Sequence, residues 1–145
     1  MVVTNLMQLT KQTDLSLRVL IFLALHPDKL STISDIALRY KESKNHLVKV
    51  VHKLAALGYL DSVQGRGGGV KLSLSPPEIS LGDVVRDMET SLDVIDCETL
   101  ACPLIPACFL KPILNEATAA FLGVLDEYSL ADIAKNKGAL LRLVG

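Results

Sequence analysis

Apolar residues recur at helical spacing in three stretches of the first 57 residues. The first stretch predicts a helix over about Thr13–Leu25, which ends there because Pro27 disfavours helical backbone in the residue before it. Thr32 and Asp35 then have the spacing of a helix N-cap and an acidic residue in the first turn. A short second helix is therefore expected, with one apolar face formed by Ile33, Ile36, Ala37 and Tyr40.

A third helix is expected over Ser43–Leu57, with an apolar and a polar side. The polar side carries Asn45, Lys49 and His52. A basic, hydrogen-bonding face on the second helix of such a pair is typical of a helix-turn-helix that enters the major groove of DNA. An ordinary solvated surface would look similar, so this face alone leaves DNA binding open. The apolar side repeats at i, i+3, i+4 and i+7 and consists of Leu47, Val50, Val51 and Leu54.

The residues that follow predict a β-hairpin. Residues 59–64 and 70–74 alternate between apolar and polar side chains as paired strands do, and Gly65–Gly69 form the turn between them. A phosphate-binding loop is the rival interpretation, but the run lacks the Gly-Lys-Ser/Thr ending and leads into a strand instead of a helix. A hairpin directly after a recognition helix is typical of a wing, whose bare glycines and Arg66 can approach phosphates closely. The helices and the wing together predict DNA binding.

The next segment predicts a helix followed by an irregular loop. Ser80 and Asp83 repeat the capping pattern, so a helix is expected to run from there to about Thr90. Residues 93–108 then lose the periodicity, and two prolines in this stretch exclude a regular helix. Every cysteine of the chain lies in this loop, namely Cys97, Cys102 and Cys108.

A long helix is expected over about Leu110–Tyr128, and Ser129 with Asp132 is expected to cap a short final helix. The long helix carries an apolar seam at alternating three- and four-residue spacing, as in a coiled coil. The seam either pairs two copies of the chain or packs within its own domain. A dimer is favoured because helix-turn-helix proteins usually bind two half-sites. The seam consists of Leu114, Ala117, Phe121, Val124 and Tyr128.

These elements define the expected fold class. It is mostly helical, a winged helix-turn-helix with a two-strand wing and a long C-terminal dimerisation helix. Residues 1–78 form the expected DNA-binding region, and residues 79–145 form the cysteine loop and the dimerisation helix, within one compact domain.

Composition and charge agree with this picture. No apolar run approaches the ~18 residues that a membrane span needs, and no signal-peptide cleavage site follows the longest one, Val19–Leu25. We therefore expect a cytoplasmic protein without a membrane partner, in which thiols stay reduced. The net charge of −1 divides into +4 over residues 1–80 and −5 over residues 81–145, so the first half is the one expected to face a polyanion.

Three thiols in one proline-punctuated loop indicate a metal site, because packing cysteines would be scattered along core stripes. Four and five residues separate them. Zinc favours closer pairs and four protein ligands, and an odd cysteine excludes complete pairing as intramolecular disulfides. An iron–sulfur cluster accepts wide thiolate spacing and a ligand other than cysteine. A carboxylate in that fourth position would be weakly held and would leave one iron open to small molecules.

The chain resembles the NsrR and IscR family of bacterial winged-helix iron–sulfur regulators from Met7 to about Ala134, and most closely its nitric-oxide-sensing branch. The resemblance makes Met7 the usual start and leaves residues 1–6 as an extension. The motifs that carry it follow one another in register. They are Met7–Asp14 with Leu17 and Arg18, Ser43–Lys49, the glycine wing, Gly82–Arg86, the three cysteines followed by Phe109–Lys111, and Tyr128–Asp132.

The resemblance implies a homodimeric transcriptional repressor that binds a palindromic operator and releases it when nitric oxide attacks a two-iron or four-iron cluster. It implies that Cys97, Cys102 and Cys108 hold the cluster and that Asp14 of the partner subunit supplies the fourth ligand. The other interpretation of Asp14 is a simple carboxylate at the start of a helix. Members of the IscR type carry a histidine three residues beyond the last cysteine, where this chain has Lys111, which favours the nitric-oxide-sensing branch.

In this hypothesis two copies of the third helix enter successive major grooves while each wing probes the minor groove. The wing departs from the family at Gln64, where relatives often carry a basic residue, and at Val70, where many carry an aromatic residue. The expected DNA contacts are Ser43, Lys44, Asn45, His46, Lys49, Gln64 and Arg66.

Rival functions share most of this architecture. One is a regulator that senses iron–sulfur status or redox stress, and another is a zinc-binding or metal-free DNA-binding regulator. An enzyme is not expected, because the sequence shows no Ser/His/Asp or Cys/His grouping and no cofactor fingerprint.

Overall fold

The chain folds as a helix-turn-helix with a hairpin wing, followed by a second group of helices. The computed structural model describes residues 7–145, so the extension implied at residues 1–6 lies outside the described residues. The predicted fold class, a mostly helical winged helix-turn-helix with a two-strand wing, is confirmed. The elements are α1 (Lys11–Leu25), α2 (Ile33–Tyr40), α3 (Lys44–Ala56), β1 (Leu60–Val63), β2 (Gly69–Leu72), α4 (Leu81–Met88), α5 (Leu110–Asp126), α6 (Leu130–Ala134) and α7 (Lys137–Val144).

Side-chain caps fix where three of the helices begin. The Thr32 hydroxyl accepts a hydrogen bond from the backbone N–H of Asp35 at 3.1 Å, and Ser80 caps α4 in the same way, as the sequence predicted. The predicted start of α1 at Thr13 is wrong by two residues. The Thr10 side chain takes the cap position by accepting the N–H of Thr13 at 3.3 Å.

Two helices end earlier than predicted. α4 stops before Thr90 because Glu89 adopts an extended backbone with φ −76° and ψ 136°. α5 stops before Tyr128, whose carbonyl accepts the N–H of Leu81 at 3.0 Å and thereby joins the end of α5 to the start of α4. The helix capped by Ser129 forms as predicted, but it is not the final one, because α7 follows it.

The core is organised around α1, which packs against α3, α4, α6, α7 and β2. Val19 and Leu20 of α1 are 0% exposed, as are Leu130 of α6 and Met88 of α4. All four belong to one continuous hydrophobic cluster. Helices from both predicted regions, 1–78 and 79–145, thus contribute to one core, and the boundary between the regions stays a prediction.

The wing is fixed at its base. β1 and β2 pair antiparallel with Leu60 opposite Leu72, and both strands are shorter than predicted. Val70 also pairs with Ser31, which precedes α2, through N–O contacts of 3.0 and 2.8 Å. A Cβ atom at Gly69 would lie 2.7 Å from the Ser31 carbonyl oxygen, so only glycine allows this approach. The hairpin is therefore tied to the helix-turn-helix on both sides.

α4 and α5 are joined by an ion pair next to Gly82. Arg86 of α4 donates two hydrogen bonds to the carboxylate of Asp126 on α5, at 2.6 and 2.7 Å. A Cβ atom at Gly82 would overlap that carboxylate. The absence of a side chain at Gly82 thus lets the two helices share this ion pair.

α5 turns most of its predicted apolar seam away from the core. Phe121, Val124 and Tyr128 are 47%, 57% and 49% exposed, and Leu122 is the buried residue of this helix. Packing within the domain therefore uses a different row of α5, and the seam stays available for a second chain. Although α5 is the longest helix within residues 7–145, neither it nor any other helix described there has the length and apolar character to cross a bilayer.

We predict that Gly82→Ala gains less stability than Gly123→Ala does. The new Cβ atom displaces the exposed carboxylate of Asp126 from Arg86, and this loss offsets part of the helix propensity that alanine gains over glycine, up to about 1 kcal/mol. Chemical denaturation checks this. Gly123→Ala is the matched control, because no atom lies within 4 Å of a Cβ placed there on α5, so this variant should be unchanged or more stable. Equal stabilities of the two variants would contradict the close approach at Gly82.

Candidate metal centre and nucleic-acid interface

The cysteine loop connects the end of α4 to the start of α5 through a series of tight turns. The N–H of Cys102 bonds to the carbonyl of Cys97 at 3.0 Å, and the N–H of Thr99 bonds to the carboxylate of Asp96 at 2.9 Å. A short 3-10 turn over Ile105–Ala107 then leads to Cys108. Because the prolines prevent a regular helix, these turns set the positions of the thiols.

The three cysteines predicted as ligands line one cavity of about 210 Å³. All three are free thiols, with Cys97 buried and both Cys102 and Cys108 partly exposed. In the part of the chain that the structure describes, no three His, Cys, Asp or Glu side chains are grouped so that they could hold a metal ion. A cluster distributes its thiolate ligands over several irons, so thiols spread around one cavity suit it better than they suit a single tetrahedral ion.

Two charged groups lie near the cysteines, Asp96 in the loop and Lys111 at the cavity. Hydrogen bonds from the backbone and side chain of Thr99, together with the charge of Lys111, hold the pKa of Asp96 below its usual value. Lys111 also lines the cavity, together with Asn115 from the first half of α5. The lysine ammonium would partly neutralise the negative charge that three thiolates bring to this site.

Asp14 is absent from the residues that line the cysteine cavity of its own chain. It lies in the first turn of α1, half exposed, and its carboxylate accepts from the Arg18 guanidinium at 3.2 Å (Nε) and 2.8 Å (Nη2). A second carboxylate, that of Glu42, lies 3.8 Å from the same guanidinium. Asp14 is thus a surface carboxylate held in one orientation by Arg18.

The predicted DNA-reading face of α3 is open to solvent. Its apolar stripe is buried as predicted, which turns the opposite face outward. Ser43 stands at the N-cap position, but its side chain makes no capping hydrogen bond, so its hydroxyl is not used by the helix. The wing residues predicted to contact DNA are exposed as well. The exposed set comprises Ser43, Lys44, Asn45, His46, Lys49, Gln64 and Arg66.

The structure adds two residues that the sequence did not single out. Lys11 and Gln12, in the first turn of α1, line a cavity of about 280 Å³ together with His46 and Lys49 of α3. Lys11 also lies 3.2 Å from the carboxylate of Glu42. Because α1 and α3 are far apart in the chain, only the tertiary fold brings these side chains together. A run of basic residues in the sequence would have been the signal, and there is none at this point.

Comparison with known proteins gives a consistent result. Residues 9–136 match the family model Rrf2, described as an iron-dependent transcriptional regulator. The HTH-type transcriptional regulator NsrR of Bacillus subtilis (strain 168) is 47% identical over 142 residues, which cover 95% of this chain and 97% of that protein. NsrR of Shouchella clausii (strain KSM-K16) is 46% identical, with 95% of each chain covered.

Solved structures share the fold. The chain superposes on T. potens IscR with a TM-score of 0.73 at 25% identity, covering 90% of this chain and 88% of that one. It superposes on the oxidized form of Staphylococcus aureus CymR with a TM-score of 0.70 at 27% identity, covering 88% of this chain and 96% of that one.

Proposed function

Because this chain belongs to the Rrf2 family of iron-dependent transcriptional regulators, we propose that it is a homodimeric repressor whose hold on DNA depends on an iron–sulfur cluster that nitric oxide attacks. The chain is a DNA-binding winged-helix regulator of the NsrR type, not an enzyme. The single observation that carries the finer proposal is the cavity shared by Cys97, Cys102 and Cys108, since thiols spread around one cavity suit a cluster better than a single tetrahedral ion.

The cysteine loop supplies the cluster ligands in this proposal. When bound, the cluster supplies thiolate-held iron, the target that nitric oxide requires. The partly buried walls around Cys97, Cys102 and Cys108 limit access to the site without closing it. Lys111, at the position where IscR-type members carry a histidine ligand, gives the cavity a positive charge instead of a fourth nitrogen donor. This supports a fourth cluster ligand that comes from outside the cysteine loop and the start of α5.

Asp14 of the partner subunit is the proposed fourth ligand. In its own chain Asp14 is half exposed and lies outside the cysteine cavity, as a ligand donated to another subunit must. The Arg18 guanidinium that contacts it at 2.8 Å keeps its carboxylate oriented. Through Asp14, α1 of one subunit would thereby be linked to the cysteine loop of the other.

Dimerisation is proposed to use the outward seam of α5. Phe121 and Val124 are large apolar side chains exposed on the same side of this helix. A helix that exposes an apolar seam lowers its free energy when a second copy covers that seam. Two chains paired in this way would present two α3 helices to successive major grooves of a palindromic operator.

The basic face of α3 and the tip of the wing are the proposed DNA contacts. Asn45, His46 and Lys49 would reach base edges or flanking phosphates, with Gln64 and Arg66 of the wing at the minor groove. Ser43 and Lys44 lie at the N-terminal end of α3, the end from which helix-turn-helix proteins contact base edges.

The main experiment measures operator binding by anaerobically purified protein before and after nitric oxide. We expect a coloured protein whose operator affinity falls by about tenfold or more as its visible absorption changes, a typical size for allosteric coupling. Cys97→Ser, Cys102→Ser and Cys108→Ser should each lack the absorption and bind like the nitric-oxide-treated protein. Unchanged affinity after complete loss of the absorption would contradict the proposal.

A colourless protein with stoichiometric zinc would favour the zinc alternative. A faster response to oxygen or peroxide would favour a sensor of redox stress.

We predict that Asp14→Asn speeds loss of the visible absorption in air several-fold, because the neutral amide is a poorer ligand while the three thiolates remain. The matched control is Asp83→Asn, which removes another exposed carboxylate from the first turn of a helix, where it lies 3.5 Å from Arg86. Decay rates are followed spectroscopically. If both variants lose the absorption at the same rate, Asp14 is a simple helix-start carboxylate.

We predict that Lys49→Ala weakens operator binding and, if Lys49 contacts a phosphate, lowers the slope of log affinity against log salt by about one. Fluorescence anisotropy over a series of salt concentrations measures both. Lys137→Ala removes the same charge from an exposed position at the start of α7, far along the chain from α3 and the wing, and should leave the slope unchanged. Equal slopes for both variants would remove Lys49 from the interface.

A further inference from the structure

The last turn of α4 makes polar contacts with three other parts of the fold. Asp87 and Met88 belong to this turn, Glu89 is the C-cap residue that follows it, and the cysteine loop begins directly after Glu89. Each of the three residues contacts a different element. The structure therefore joins the entrance of the cysteine loop to α1, α3 and the base of the wing at one place, which we name the α4 junction.

Glu89 connects the junction to the start of α1. Its Oε1 atom accepts the backbone N–H of Thr10 at 2.7 Å and the hydroxyl of Thr13 at 2.6 Å. The Thr10 hydroxyl donates to the same oxygen at 3.1 Å. Thr13 is 0% exposed, and if Glu89 moved away its hydroxyl would keep only the longer contact with the Thr10 hydroxyl at 3.1 Å. Asp14, the proposed ligand for the other subunit, follows directly after Thr13.

Met88 and Asp87 connect the junction to α3 and to the base of the wing. The Met88 carbonyl accepts a hydrogen bond from the Lys53 ammonium at 3.3 Å, in the last turn of α3. The Asp87 carboxylate accepts the Tyr59 hydroxyl at 2.6 Å, one residue before β1. Tyr59 is 7% exposed, and burial, followed by the hydrogen bond to Asp87, raises the pKa of its hydroxyl. The hydroxyl therefore stays protonated and remains a donor to Asp87.

We infer that the α4 junction couples the state of the cysteine loop to the position of α3 and the wing, with Tyr59 and Glu89 as positioning residues. This inference rests on the proposed function. The Met88 side chain is 0% exposed, and Arg86 fixes the outer face of the same helix to Asp126 of α5. Because both faces of α4 are held, a displacement of the loop that reaches the end of this helix would be passed to the elements that the junction holds.

The alternative is that these contacts only stabilise the fold. The two interpretations differ in one measurable quantity, which is the ratio of operator affinities of the cluster-loaded and cluster-free protein. A contact that only stabilises the fold changes the unfolding temperature and leaves this ratio unchanged. A coupling contact changes the ratio, because it contributes differently to the two states.

Tyr59→Phe is the principal test, because it removes the hydroxyl and keeps the buried ring. We expect this variant to retain the visible absorption. Its ratio of operator affinities should be at least about fivefold smaller than that of the wild type. Tyr40→Phe is the matched control. Its hydroxyl donates to the Arg18 carbonyl at 2.9 Å within the same core but has no contact with the junction, so its ratio should equal that of the wild type.

Glu89→Gln is the second variant, and it keeps the inference testable if Tyr59→Phe does not fold. It removes the negative charge that accepts three hydrogen bonds, and we expect the ratio to fall in the same direction. If the wild-type ratio is large and both variants retain it as Tyr40→Phe does, the coupling is overturned and the proposed function stands. If the wild-type protein itself shows no dependence on the cluster, both are overturned.

Discussion

The burial of α1 is the constraint on which the rest of the structure depends. Leu15, Val19, Leu20 and Leu23 are almost completely removed from water between the helix-turn-helix on one side and α4 and α6 on the other. Each such side chain contributes about 1.5–3 kcal/mol by leaving water. Neither group of helices can cover this surface alone. The DNA-reading elements and the cysteine loop are therefore built on one shared core, and they are joined by α1 rather than by a flexible linker.

The polar groups at the start of α1 give this buried helix a second role. Its first turn holds Asp14 beside Arg18, and Glu89 from the end of α4 caps it. Lys11 faces the cavity that it shares with His46 and Lys49 of α3. Within one helical turn, the chain thus brings together the proposed ligand for the other subunit, a contact from the entrance of the cysteine loop and a neighbour of the reading face. In the proposed function, this turn of α1 would connect the cysteines to the DNA-reading face.

The sequence predicted those features whose causes are local. The periodicity identified the buried stripe of α3, and the Thr32 and Ser80 caps located the starts of α2 and α4. The three cysteines lie within one loop, so their shared cavity followed from their proximity in the chain.

Features that depend on distant partners were not predicted. Thr10 begins α1 with Glu89, 79 residues away, as the partner of its N–H and hydroxyl, and no local pattern signals that contact. The row of α5 that faces the core, with Leu122 at its centre, was likewise decided by α4. Two apolar rows on one helix cannot be assigned to core or partner without knowing what packs against them.

The chemistry of the α4 junction suits a regulator better than further apolar packing would. Apolar contacts are non-directional and weaken gradually when two surfaces slide, whereas a hydrogen bond weakens steeply as its distance and angle change. Tyr59 and Thr13 are buried residues, and if the end of α4 moves away, Tyr59 loses its hydrogen bond to Asp87 while Thr13 keeps only the contact with the Thr10 hydroxyl at 3.1 Å. A small displacement at the cysteine loop therefore has two outcomes. Either the contacts persist and α3 and the wing follow, or the contacts break, and a buried hydroxyl left without a partner costs about 1–3 kcal/mol. In the proposed coupling the first outcome is the one that would carry a rearrangement near Cys97 to α3 and the wing.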